Sequence, residues 1–438
     1  MRNGANAMTM FASAACATAI SLILNYVPGP VGLGGVGLLL CCVIFSLWPW
    51  AVVPVGILGS TIAAVLAGQT DLRSFLLAHV LVLAAGCAGL VIRRLFGLDR
   101  DDPVPRSYRL GAVVLLATTA IGAIYGLAVG NAAKEVMIAT YQIAIIPAYF
   151  LITLLTLNSP RRRRNAAILY VVPITALTSY AMVSGGGHGG LLPLLAVPSL
   201  IVLVGRSRGW RQAGLAVVVA GLAADVVLAP YRGVWVAGGI AVFILLIRGG
   251  RVARTGLTAA GIASGTIFTV LLLGGGLADR LSVAGEALGR SAGYRVPEAS
   301  VGWNVFVSRP LFGAGLGQTT PRIYLPGFAV TDVGPVYHSF YIVILANLGL
   351  IGLIAVIWPI AMTARTALAN GASEPLAFAA LTCGFLVAAL VESPSDGHWE
   401  LGLLPALTLL TLPPGASATR RRVRSRTALR AVPVGAPR

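Results

Sequence analysis

The chain has 438 residues, of which 57% are hydrophobic and only 11% charged, with 53 glycines and a mean hydropathy of +0.87. That balance excludes an ordinary soluble globular protein and leaves an all-α polytopic membrane protein. The formal net charge of +18 comes from 32 Lys+Arg against 14 Asp+Glu, and Lys134 is the only lysine. Because the arginines lie in short clusters between apolar runs, topology and anionic headgroups account for them and nucleic-acid binding is not expected.

In chain order, apolar runs of roughly 20 residues predict about fourteen spans: near 8–26, 31–48, 50–68, 74–92, 110–130, 139–158, 166–184, 190–205, 212–229, 233–247, 255–275, 339–362, 376–392 and 399–412. The second and third, divided only by Trp48-Pro49-Trp50, also suit a re-entrant pair, which gives a range of 12–14. No cleavage site follows Arg2, so the first run reads as a membrane helix rather than a signal peptide. The five cysteines, Cys16, Cys41, Cys42, Cys87 and Cys383, all fall in apolar runs, without metal or disulfide spacing.

With the N-terminus inside, 24 of the 32 basic residues lie inside and 8 outside, five of those 8 in one long loop exempt from the charge rule. The short loops thus divide 24 to 3, which places both termini in the cytoplasm. The reading is a single transmembrane domain over 1–412, with a long extracytoplasmic loop over 276–338 and a disordered basic cytoplasmic tail over 413–438. The dominance of arginine over lysine, with abundant Ala, Gly, Leu and Val, suggests a bacterial source and hence the bacterial plasma (inner) membrane.

The long loop is where chemistry is expected, because connection alone does not need sixty residues. Leu277, Leu281, Ala284 and Leu288 repeat at helical spacing and predict an interfacial amphipathic helix. Arg309-Pro310-Leu311-Phe312-Gly313-Ala314-Gly315-Leu316-Gly317 is a glycine-rich turn whose backbone amides suit an anion, or which simply closes the loop. His338, followed by Ser339-Phe340-Tyr341, stands at the head of a span and suits a general base. Asp225 is placed to pair with Arg232, His79 reads as an interhelical histidine, and His188 sits in a glycine-rich turn. Glu392, Asp396, His398 and Glu400 cluster in the last outer loop, where a hydrated loop is favoured over a metal site.

Tyr231-Arg232-Gly233 opening a span, Arg295, the Pro310–Gly315 segment, and His338 before a glycine-containing helix resemble, in order and spacing, the O-antigen ligase and Wzy-type O-antigen polymerase family. The resemblance covers roughly residues 229–365 and departs in Tyr231 for serine, Ser339 for asparagine and Asn347 for glutamate. It implies a GT-C-like fold of 12–14 transmembrane helices and a metal-independent glycosyltransferase with no cofactor, acting on a polyprenyl-diphosphate-linked oligosaccharide. The acceptor would be a glycan or glycolipid, with membrane lipids and a chain-length regulator as further partners.

By the same resemblance His338 takes the acceptor proton, while Arg232 and Arg295 hold the diphosphate as bidentate cations. Arg290, Arg309, Arg322, Gly313, Gly315 and Tyr341 are the further substrate-binding candidates. A polytopic transporter or lipid-linked glycan flippase is the alternative, although such proteins usually carry paired repeats and midplane polar sites, whereas these spans are nearly free of charge at mid-depth apart from Asp225 and His79. A peptidoglycan-polymerising glycosyltransferase shares the carrier and the face, but its motifs are not found.

Overall fold

An apolar run in hydrocarbon has no water to satisfy its backbone, so it must close its hydrogen bonds within the segment as a helix. The computed structural model, which describes residues 30–66, 72–95, 106–184, 190–229, 231–273, 298–323, 331–333, 337–392 and 398–413, has helices where those runs lie. They are α1 Pro30–Leu47, α2 Val52–Leu66, α3 Leu72–Leu95, α4 Arg106–Ala128, α5 Ala133–Thr156, α6 Pro160–Ser184 and α7 Leu191–Arg206, then α8 Trp210–Leu228, α9 Arg232–Arg248 and α10 Gly250–Leu273. Residues 298–308 form α11, followed by α12 Phe340–Asn370, α13 Ser373–Ala388 and α14 Glu400–Thr411. The expected span 8–26, the amphipathic helix around 277–288, His188 and the basic tail lie outside the described residues.

Among the described residues, four helices are long and apolar enough to cross a membrane: Arg109–Ala128, Ala133–Thr156, Trp210–Leu228 and Phe340–Asn370. Several others fall short: α7 and α13 have 16 residues each and α14 has 12. The α4 helix shows what faces lipid, since Leu110, Val113, Val114, Ile121, Ile124 and Leu127 are all exposed. Water would not tolerate so continuous an apolar face, and a bilayer favours it. The chain is therefore an α-helical membrane protein.

Among its described residues, the long loop departs from the all-helical expectation at one strand pair. Thr320–Ile323 (β1) and Thr331–Val333 (β2) pair antiparallel, with an irregular register between Thr320↔Val333 and Ile323↔Thr331. β-Branched Thr, Ile and Val supply the strand preference.

The chain divides into two compact units. The first holds the described residues up to Ser184, with Glu298–Leu353 and His398–Leu403. In it α1 stops at Trp48, where a single 3-10 turn, Pro49–Ala51, leads into α2. The Ser46 carbonyl freed by that break accepts a 2.7 Å hydrogen bond from the buried guanidinium of Arg93 on α3, which closes a helix end that would otherwise be unsatisfied. Tyr149 of α5 and His79 of α3 join by a 2.8 Å hydrogen bond, both buried, as the interhelical reading of His79 expects. Replacing Tyr149 by Phe should cost about 1 kcal/mol, read as an earlier thermal transition of the detergent-solubilised protein. An unchanged transition would mean that His79 finds an equal partner elsewhere.

The second unit holds Gly190–Leu273, Ile354–Glu392 and Leu404 onward among the described residues. Its helices approach through small residues. A Cβ on Gly205 of α7 would overlap the Val252 carbonyl of α10, and one on Gly256 would overlap the Ile201 carbonyl, so both glycines admit backbone-to-backbone packing. Ala364, Ala367 and Ala379 pack α12 on α13, with Cys383 and Leu412 beside them. Cys41, Cys42, Cys87 and Cys383 are free thiols.

Candidate functional site

The site is built on the start of α12. Tyr337, Val343 and Ala346 are buried together, with Val305 of α11 and Ile342 packed against them. This cluster fixes α11 beside the head of α12 and brings two residues 40 positions apart into contact. The Oε2 of Glu298 lies 2.5 Å from the Nδ1 of His338 and accepts the His338 backbone N–H at 3.3 Å. The Glu298 side chain is 12% exposed and that of His338 is 39% exposed. The carboxylate is thus shielded while the imidazole reaches the surface. The sequence pattern does not single out Glu298 as a partner of His338, from which it stands 40 positions away.

A second acid–histidine pair packs on Phe340, two residues after His338. His398 Nδ1 and Glu400 Oε1 are 2.5 Å apart, both side chains being almost fully buried. The Phe340 ring meets the His398 ring edge-on at 4.5 Å. Trp399 stacks beside Tyr149 at 5.4 Å and reaches His79 at 6.4 Å. A hydrated loop was expected here, so the burial of His398 and Glu400 is a correction. Asp396 and Gly397 precede the pair in sequence, but the Phe340 ring packs on His398, and Trp399 between them packs on Tyr149 and His79.

Of the two readings of the glycine-rich turn, an anion site or a turn that closes the loop, its hydrogen bonds fit the second. Helix α12 is interrupted at Gly349, which has φ 66° and ψ −163°. An unbroken helix would bond the Leu350 and Ile351 amides to the Ala346 and Asn347 carbonyls. Instead the Leu350 amide donates to Pro310 O at 2.9 Å and the Ile351 amide to Leu311 O at 3.3 Å. The Ala346 and Asn347 carbonyls accept from Ala314 and Gly315 at 2.8 and 3.0 Å. The turn thereby replaces the hydrogen bonds lost at the break. The Leu316 amide donates to Gly122 O of α4 at 3.1 Å, and its carbonyl accepts from Asn131 at 2.9 Å. The Ala314, Gly315 and Leu316 amides are therefore spent on protein carbonyls, and Gly313 and Gly315 shape the loop rather than face an anion.

The predicted arginines are distributed as follows. Arg309 is exposed where α11 ends and the turn begins, Arg322 falls within β1, and Arg290 and Arg295 lie outside the described residues. Arg232 opens α9 in the second unit. The next residue, Gly233, donates its amide to Glu392 Oε1 at 2.9 Å, which places a carboxylate at the positive end of that helix. Asp225 is buried on α8. Tyr341 is half-buried beside Phe340, their rings 6.4 Å apart. In the same unit Ala220, Ala224, Val227, Gly265 and Phe268 line an apolar groove of about 310 Å³ between α8 and α10.

No protein-family model, no curated protein and no solved structure matches the chain.

Proposed function

We propose that this protein is an extracytoplasmic glycosyltransferase of the O-antigen ligase/polymerase type, with a GT-C-like membrane fold of 12–14 spanning helices. It transfers a glycan from a polyprenyl diphosphate carrier to an acceptor hydroxyl in cell-surface polysaccharide assembly, in the bacterial inner membrane with both termini cytoplasmic. The observation that carries this reading is the half-exposed imidazole of His338 at the head of a 31-residue apolar helix, with a shielded carboxylate behind it. A base at the end of a spanning helix sits at the depth of the carrier's phosphates.

His338 takes the proton of the acceptor hydroxyl as its oxygen bonds to the anomeric carbon, and the glycosidic electron pair leaves with the diphosphate. By the family resemblance Arg232 and Arg295 are the cations assigned to that leaving group, and Arg290, Arg309, Arg322 and Tyr341 are the further substrate-binding candidates. The apolar groove between α8 and α10 suits an isoprenoid chain.

The test is reconstitution of the full chain in liposomes with polyprenyl-diphosphate-linked oligosaccharide and an acceptor glycan, with and without chelator. Release of polyprenyl diphosphate together with an extended glycan, undiminished by chelator, is the expected result. Product length separates polymerase from ligase. One observation favours a second reading, a lipid-linked glycan flippase: the His79–Tyr149 and His398–Glu400 pairs are buried polar groups of the kind that ion-coupled transporters use. Movement of intact lipid across the bilayer without cleavage would establish that reading and remove the first.

A further inference from the structure

The carboxylate of Glu298 contacts His338 twice, through the ring Nδ1 and through the backbone amide. The amide can only donate, so Oε2 is the acceptor in that bond and is held beside the ring. A carboxylate at Nδ1 selects the tautomer with the proton on Nδ1, which leaves the lone pair on Nε2. We propose that Glu298 is the positioning residue for His338: it fixes the tautomer and ring orientation that present Nε2 as the proton acceptor. This rests on the glycosyl-transfer reading for its substrate, though not for its geometry.

When Nε2 receives the acceptor proton, the positive charge that develops on the ring lies against the Glu298 carboxylate. Arg309 on the same segment is exposed, Tyr337 and Tyr341 flank the ring in sequence, and His398–Glu400 is already paired behind Phe340. Of the described histidines, His79 and His398 are buried, so His338 alone among them offers a ring to reagents outside the protein.

The experiment compares wild type, Glu298→Gln and Glu298→Asp in liposomes with the polyprenyl-diphosphate-linked oligosaccharide. It also measures the rate at which diethyl pyrocarbonate carbethoxylates His338, followed by mass spectrometry. In Glu298→Gln, kcat should fall on the order of 10²-fold with the donor KM unchanged, and His338 should be modified more slowly. Glu298→Asp should recover part of both. Equal kcat and equal carbethoxylation in wild type and Glu298→Gln would overturn the proposal, as would an effect on KM alone. If no protein transfers glycan yet carbethoxylation still slows in Glu298→Gln, the positioning role stands and the glycosyltransferase reading fails. If Glu298→Gln does not fold, Glu298→Asp decides by the same two rates.

Discussion

His338→Ala should leave the protein folded and membrane-inserted while lowering kcat for glycan transfer by about 10²–10⁴-fold. That corresponds to about 3–5 kcal/mol of lost transition-state stabilisation. The substitution is tolerable because the His338 side chain is 39% exposed and the packing that seats α12 comes from Tyr337, Val343 and Ala346 instead. The donor KM should hold, since the imidazole acts on the acceptor hydroxyl as its O–H bond breaks and contributes little to ground-state binding of the lipid. Steady-state kinetics on reconstituted protein, with circular dichroism to establish folding, check both parts. Undiminished turnover would remove His338 from the chemistry, and a raised donor KM with unchanged kcat would reassign it to binding.

How much of this was legible in the sequence follows from the range of the interactions involved. Helix positions depend on local hydropathy, and thirteen of the fourteen expected spans coincide with helices of the structure. His79 was legible as an interhelical histidine because a polar ring in an apolar run has few other fates. The Glu298–His338 contact was not, because its 40-residue separation crosses a turn and a hairpin whose geometry no periodicity encodes. His398 and Glu400 were misjudged for a related reason. Asp396 and Gly397 before them read as a hydrated loop, while the ring that meets His398 comes from α12 and the rings that meet Trp399 come from α3 and α5.

The glycine-rich turn is instructive in another way. The sequence offers Arg309–Gly317, as an anion site or a turn closing the loop, and the run through Gly349, as a spanning helix, as separate features. They are one structure, since four hydrogen bonds between turn and helix replace those lost at the break. Only the backbone conformation of Gly349 discloses this, and glycine in a long apolar helix is too common to signal it. The same bonds anchor the segment that carries Glu298 and Arg309 to the helix that carries His338. The break thus belongs to the construction of the site.

Gly349→Ala should therefore destabilise the protein by about 3–5 kcal/mol, the sum of backbone strain and weakened turn-to-helix hydrogen bonds. At φ 66° and ψ −163° the backbone lies in a region that residues with a Cβ scarcely enter, and an added methyl would strike the Leu311 carbonyl and the Phe312 amide. The turn would have to withdraw, leaving the Leu350 and Ile351 amides and the Ala346 and Asn347 carbonyls exposed to an apolar surround. Gly239→Ala is the matched control. Gly239 lies inside α9, where an added Cβ meets nothing within 4 Å, so the same exchange should be neutral or stabilise by about 0.5–1 kcal/mol. Thermal unfolding in detergent of the two variants and wild type measures the contrast. Equal behaviour of the two variants would mean that the helix closes over Gly349 at little cost, and that the turn does not hold the two halves of the site together.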